Sequence, residues 1–320
     1  MTSHPAQHPP GPARRPTSGL RIAGVLTVTA LVAAGCTQVS DEEIIGESGG
    51  VTIPEVDVST IQPDPDVVAL VPDDVAAGGL LTVGVDGAYA PAEFLAEDGQ
   101  TPIGYDLDII AAVAAVMGLE SAPEIADFTS IIPSVGSTYD VGISSFTITP
   151  ERLEAVTMIN YFNAGESYTV LAGNPREIDP DHLCGTTVAV QVGTVQNEEI
   201  PVISDECVAA GDPEITILPF NQQNEVTTNL VGGRADVMYT DSPIAAFAVA
   251  RTGGRLEQLG SVRAEADQGI VVELGDDDLA LAIQAALESL DASGDYERIL
   301  TAWGNEQGAV DSFDIQPEIS

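Results

Sequence analysis

Beyond residue 66 the chain alternates short, β-branched apolar runs with longer stretches of helical period. Strands are predicted at 80–85, 140–144, 187–192, 235–239 and 270–274. Helices are predicted at 67–76, 107–117, from 128 onward, 224–231, 243–250, 277–290 and 299–303. Strand–turn–helix units in this order argue for an α/β architecture with mostly parallel sheets. Such sheets bind ligands beyond the carboxyl ends of their strands, so the polar residues at those ends become the candidates for chemistry.

The first strand leads into Asp86 and Tyr89, the third into Gly193, Thr194 and Gln196, and the fourth into Asp241. The second is the richest. In YDVGISSFTITPER at 139–152, Ser144, Ser145, Thr147 and Thr149 lie close together, and Thr149-Pro150 opens a helix as its cap and first residue. Arg152 falls in the first turn of that helix. Hydroxyls, a positive helix start and a guanidinium fork suit a small carboxylate, and the same residues equally describe an ordinary strand–turn–helix corner. Taken together, the strand ends hold one cation, two anions and several neutral donors. That set complements an amino-acid zwitterion, with Arg152 and the hydroxyls for its carboxylate and Asp241 for its ammonium, since each buried ion needs a partner. Singly the residues have plainer readings: Asp241 as a helix N-cap, Tyr89 and Phe128 as core aromatics, Gln196 as a solvent-facing first-turn residue.

Length, at 320 residues, suggests about two domains. The first 35 residues stand apart from them. Arg14, Arg15 and Arg21 precede an apolar run from 22 to 34, closed by Ala33-Ala34-Gly35-Cys36. This is a secretory leader too short to span a bilayer. Its end is similar to a lipobox, with Cys36 as the lipidated residue, a plain cleavage site being the alternative. Two acyl chains on Cys36 would give stable anchoring to the membrane. Residues 36–66, rich in Pro, Gly and acid, read as a flexible tether of about 30 residues with a reach of about 30 Å.

Composition changes the picture of partners. The chain has 50 Asp+Glu against 10 Lys+Arg, all of the latter arginine, and three of these lie in the leader. So acid a surface excludes nucleic acid as a partner by repulsion and stays soluble at high salt. With Cys36 lipidated, Cys184 and Cys207 are left as an even pair in an exported chain. A disulfide closing that loop of about 24 residues would contribute about 3 kcal/mol, two free thiols being the other reading.

Several stretches resemble the polar amino-acid-binding family of ABC-transporter solute-binding proteins, family 3. They are LLTVGVDGAYAPAEF at 80–94, IGYDLDI at 103–109, DFTSIIPSVGSTYDVGISSFTITPER at 127–152 and HLCGTTVAVQVGTVQ at 182–196. RADVMYTDSPIAA at 234–246 and SGDYERILTAWG at 293–304 complete the set. The resemblance implies a two-lobed α/β, periplasmic-binding-protein-like fold of type II, with the ligand in a cleft between lobes. Lobe 1 would span 67–167 and 265–305, lobe 2 168–264, with crossovers near 168–172 and 264–270 and a tail at 306–320. By position in the family motifs, Ser145, Thr147 and Arg152 would take the ligand's α-carboxylate, helped by the backbone at Thr194 and Val195, and Asp241 its ammonium, shared with the Ser145 region. Asp86, Tyr89, Phe128 and Gln196 would line the rest of the cleft. Cys184 and Cys207 match a disulfide of some Gram-positive members. Ala92 stands where the family often has an aromatic, which would reshape the side-chain pocket.

The expected function is therefore capture of a free L-amino acid, polar or basic, outside the cytoplasm by a lipid-anchored monomer. A permease with its ATPase would receive the ligand, and no metal or cofactor is called for. The rivals are a secreted dehydratase-like enzyme on the same fold and a ligand-sensing subunit. Beyond the leader there is one histidine, His182, and no lysine, which leaves an enzyme little but carboxylates for acid–base work.

Overall fold

A computed structural model describes residues 51–319. The leader and Cys36 lie outside the described residues. Two short helices, α1 (Pro65–Val68) and α2 (Asp73–Gly78), come first. Strands β1 (Leu80–Val85), β2 (Ala88–Tyr89), β3 (Glu93–Leu95) and β4 (Pro102–Ile103) precede helix α3 (Tyr105–Val116). Then follow β5 (Glu120–Ile125), α4 (Phe128–Ile131), β6 (Val141–Thr147), α5 (Pro150–Ala155) and the long β7 (Val156–Leu171). Strands β8 (Thr187–Gln191), β9 (Thr216–Phe220) and β10 (Val237–Asp241) alternate with helices α6 (Val195–Ala210), α7 (Gln223–Val231) and α8 (Ser242–Arg251). The chain returns along β11 (Leu256–Glu273) and ends with α9 (Asp277–Ser293) and α10 (Asp295–Ala302).

The main sheet runs β5-β1-β6-β11-β7-β10-β8-β9. Its two ends are parallel: β1 pairs with β5 and β6, and β8 with β9 and β10. In the middle, β7 and β11 lie antiparallel to each other and run through both lobes. They are the two crossovers. From Glu166 onward β7 pairs with β10, so the first passage precedes the expected 168–172. On β11 the pairing slips around Arg263 and Ala266 before Gln268 joins β6, within the expected 264–270. Apolar side chains divide accordingly. Leu81, Val83, Ile109, Val113, Ile143, Ile283 and Leu287 fill one core, and Val188, Val190, Ile200, Val237 and Tyr239 another.

Local chemistry sets the elements that matter for the site. Thr149 caps α5 by accepting from Arg152 N, with Pro150 at the first position. Thr194 caps α6 through Asn197 N, and Gly211 closes it in the left-handed conformation. At Gly104, φ is 145° and an added Cβ would lie 1.9 Å from Ala92 O. The start of α3 therefore lies against the chain between β2 and β3, which brings Asp106 to Glu93.

Both ends of the ordered body extend further than the sequence suggested. Val56, Val58 and Ile61 pack on the lobe-1 core, and Asp64 accepts from Ser289 Oγ at 3.1 Å, so the expected tether ends well before residue 66. The expected tail at 306–320 docks on lobe 1: Phe313 is buried and Ile315 bridges to Ile159 on β7. In both segments a few spaced apolar side chains dock on lobe 1 without any regular period, which is why neither was legible as structure. Cys184 and Cys207 form a disulfide. His182, Cys184 and Asp212 lie within 4.8 Å of one another, but that sulfur is already bonded.

Candidate functional site

A cleft between the lobes, with about 210 Å³ of atom-free space, is lined by Tyr89, Phe128, Ser144, Ser145, Thr147, Arg152, Thr194, Val195, Gln196 and Asp241. Nine of the ten residues named from sequence thus meet in one place. The lobe-1 wall is built around the end of β6. There Ser145 takes a left-handed φ of 47°, a strained conformation for a residue with a side chain. Arg152 lies beside the stacked rings of Phe128 and Phe146, its guanidinium carbon 5.8 Å from each centroid. Its fork donates to Thr147 O at 2.8 Å and across the cleft to Gly193 O at 3.0 Å. None of the ion pairs among the described residues involves it. Arg152 is therefore a charge held by carbonyls, with no carboxylate of its own.

The lobe-2 wall carries the opposite charge. Asp241 precedes α8 but makes no side-chain bond to the helix start, which removes the capping explanation. Instead it accepts from Gln196 Nε2 at 2.8 Å and Gln268 Nε2 at 2.9 Å. Burial pushes its carboxyl up to about 6, against hydrogen bonds from Tyr89, Gln196 and Gln268 and the attraction of Arg152. Gln196 is 1% exposed and so does not face solvent. Behind it Tyr239 hydroxyl lies within hydrogen-bond reach of the carboxyls of both Glu166 and Glu199, and burial raises Glu166 to about 8.

Further bonds join the walls. Tyr89 hydroxyl meets Thr240 Oγ1 at 3.1 Å, and Gln191 Nε2 donates to Asp86 Oδ2 at 2.6 Å. The lobes are closed on each other. Asp86 is the exception among the expected residues: the Gln191 amide reaches across and takes its carboxylate, and it does not line the cleft. Ala92 is likewise packed in the lobe-1 core, so its small size does not shape the cleft.

Glu93 and Asp106 were missed by strand-end reasoning, because one begins a short edge strand and the other a helix. Both are fully buried. Ser144 Oγ donates to Glu93 Oε1 at 2.5 Å, and Asp106 accepts from Tyr161 hydroxyl at 2.6 Å and Ser145 N at 2.9 Å. Their proximity to Ser144 and Ser145 follows from the Gly104 approach, which the spacing of IGYDLDI did not reveal.

Sequence comparison agrees with this architecture. Residues 81–306 match the model of the bacterial extracellular solute-binding proteins, family 3. The chain belongs to that family. Among its relatives, the arginine-binding protein ArgT of Corynebacterium glutamicum is 40% identical over 78% of this chain and 82% of its own. A mutant of the arginine-binding protein ArgBP from T. maritima superposes with a TM-score of 0.65 at 31% identity, covering 75% of this chain and 100% of that one. An ancestral amino-acid-binding protein, described as a precursor of cyclohexadienyl dehydratase, matches with a TM-score of 0.65 at 28% identity over 73% of this chain and 99% of that one. Members of the family are extracellular, and among the described residues no helix is long and apolar enough to cross a membrane.

Proposed function

We propose that this protein captures a free L-amino acid, basic or polar, and hands it to an ABC permease. The observation that carries the reading is the pairing of opposite charges on the two walls. Arg152 lacks a carboxylate partner and Asp241 lacks a cation at bonding distance, yet both line one closed cleft. An α-carboxylate and an α-ammonium complete both at once. In this reading Ser145, Thr147 and Thr194 help hold the carboxylate, and Tyr89 and Phe128 pack on the side chain. Ser144 and Gln196 complete the wall, and Asp86 orders it from behind through Ser144.

The relatives named for arginine favour a cationic ligand over a neutral polar one. Lipidation at Cys36, removal of residues 1–35 and a monomeric state belong to the same proposal. An enzymatic role is disfavoured because the cleft carboxylate Asp241 is already held by two amides.

Titration calorimetry against all natural amino acids, with N-acetyl-L-arginine and L-argininamide as controls, tests the reading. Tight binding of an amino acid that is lost when either end is blocked is expected. Equal affinity for blocked and free forms, or no binding by any amino acid, would sink it.

A further inference from the structure

The Glu93–Asp106 pair lies directly behind Ser144 and Ser145, and its hydrogen bonds are complete in only one protonation state. Asp106 receives three donors: Tyr161 hydroxyl, Ser145 N and, at 3.3 Å, Ser145 Oγ. Glu93 receives one, from Ser144 Oγ on Oε1, and its Oε2 has no donor. Two buried carboxylates facing each other cannot both stay ionised, and the proton goes to the one with fewer donors. A hydrogen on Glu93 Oε2, directed at Asp106, satisfies the one orphan atom of the pair.

Ser144 is then constrained as well. A hydroxyl has one hydrogen and two lone pairs. The hydrogen is spent on Glu93, and one lone pair takes Asp86 N at 3.3 Å. What remains on the cleft side is an acceptor.

We infer that Glu93 keeps its carboxyl proton in the folded protein and fixes Ser144 as an acceptor, which makes Glu93 a specificity-determining residue for ligands whose side chains carry hydrogen-bond donors. The selectivity half rests on the ligand reading above; the protonation half does not. The other titratable groups facing Glu93 are Tyr105 and Asp106 on α3, Asp86 after β1 and Tyr161 on β7. Burial and the Asp106 charge both push Glu93 well above the usual carboxylate range, in line with the hydrogen-bond count.

Glu93→Gln reproduces the protonated acid, with its carbonyl toward Ser144 and its NH2 toward Asp106. Infrared difference spectra of the wild-type protein and this variant near neutral pH should show a protonated carboxyl C=O band belonging to Glu93. Its absence overturns the inference whatever the ligand is. Glu93→Gln should bind L-arginine within about threefold of wild type, whereas a loss beyond about tenfold means that position 93 is ionised. Glu93→Met frees the Ser144 hydrogen, and its preference for L-arginine over L-norleucine should fall by about tenfold. An unchanged preference, in a variant whose circular dichroism is native, removes the specificity role. Should Glu93→Met not fold, the spectra and the glutamine variant still decide.

Discussion

The two walls of the cleft are built by different means. On the lobe-1 wall, Phe128, Ser144, Ser145, Thr147 and Arg152 come from one short stretch of chain. They are set by local devices: a capped helix start, a left-handed serine and two stacked rings with centroids 4.9 Å apart. On the lobe-2 wall, Gln196 and Asp241 are 45 positions apart and hold each other, with Gln268 of the crossover strand as the third member. The first wall is set largely by contacts within its own stretch of chain, with Arg152 also reaching Gly193 O across the cleft, while the second draws on Gln268 from the crossover strand. In the proposed reading, the carboxylate meets a site largely preset on lobe 1, and the ammonium meets Asp241 beside the crossover strand.

The largest effect should come from the preset wall. Arg152→Ala removes the one cation of the cleft and is expected to cost about 2–5 kcal/mol of ligand binding, the usual loss when one partner of a buried hydrogen-bonded charge pair is truncated. Arg152→Lys keeps the charge and loses the fork, so it should fall in between. Calorimetry on variants shown to be folded by circular dichroism checks this. Wild-type affinity in Arg152→Ala would refute the idea that lobe 1 docks the carboxylate.

Acid should separate the walls next. Arg152 stays charged at any ordinary pH, whereas Asp241, with a carboxyl pushed up to about 6, loses its charge below that value. Affinity should decline by up to about tenfold per pH unit below about pH 6. Stability should move the other way. Asp108 and Asp241 are raised to about 6 and Glu166 to about 8, so the folded state binds protons that the unfolded chain releases. Their contribution is fully present below the unfolded carboxyl values near 4 and is lost as pH rises through about 6 and about 8. Unfolding temperature should therefore rise from about pH 8 to about pH 5 while binding weakens. Parallel trends would mean that Asp241 does not hold the ammonium.

What the sequence disclosed follows the same division. The lobe-1 wall was legible because its chemistry is contiguous, and Thr149-Pro150 announces its helix. Asp241 was ambiguous because a carboxylate before Ser-Pro has the same sequence whether it caps or binds. The crossovers were poorly legible. Along β11 the middle residues are exposed and only the final turn toward Glu273 is apolar on both faces, so only residues 270–274 read as strand. Glu93, Gln191 and Gln268 were missed because their partners lie far along the chain and are met only after folding. Asp86 was placed correctly at a strand end and wrongly in the cleft, for want of the Gln191 contact.

That contact supplies the finest test of the comparison. Gln191 Nε2 joins lobe 2 to Asp86 on lobe 1 and also donates to Asn221 O at 3.2 Å. Because Asp86 N is in turn bonded to Ser144 Oγ, the amide couples closure to the preset wall. Opening the lobes returns Asp86 and Gln191 to water, so the bond favours the closed state and adds little to the fold of either lobe. Gln191→Ala should therefore weaken ligand binding by roughly 1 kcal/mol, the net worth of such a bond. The unfolding temperature of the ligand-free protein should barely move, and small-angle scattering should show a larger radius of gyration at subsaturating ligand. A fall in unfolding temperature with no change in affinity would instead make Gln191 an ordinary stabiliser of lobe 2, and closure would then depend on Tyr89, Arg152 and Gln268.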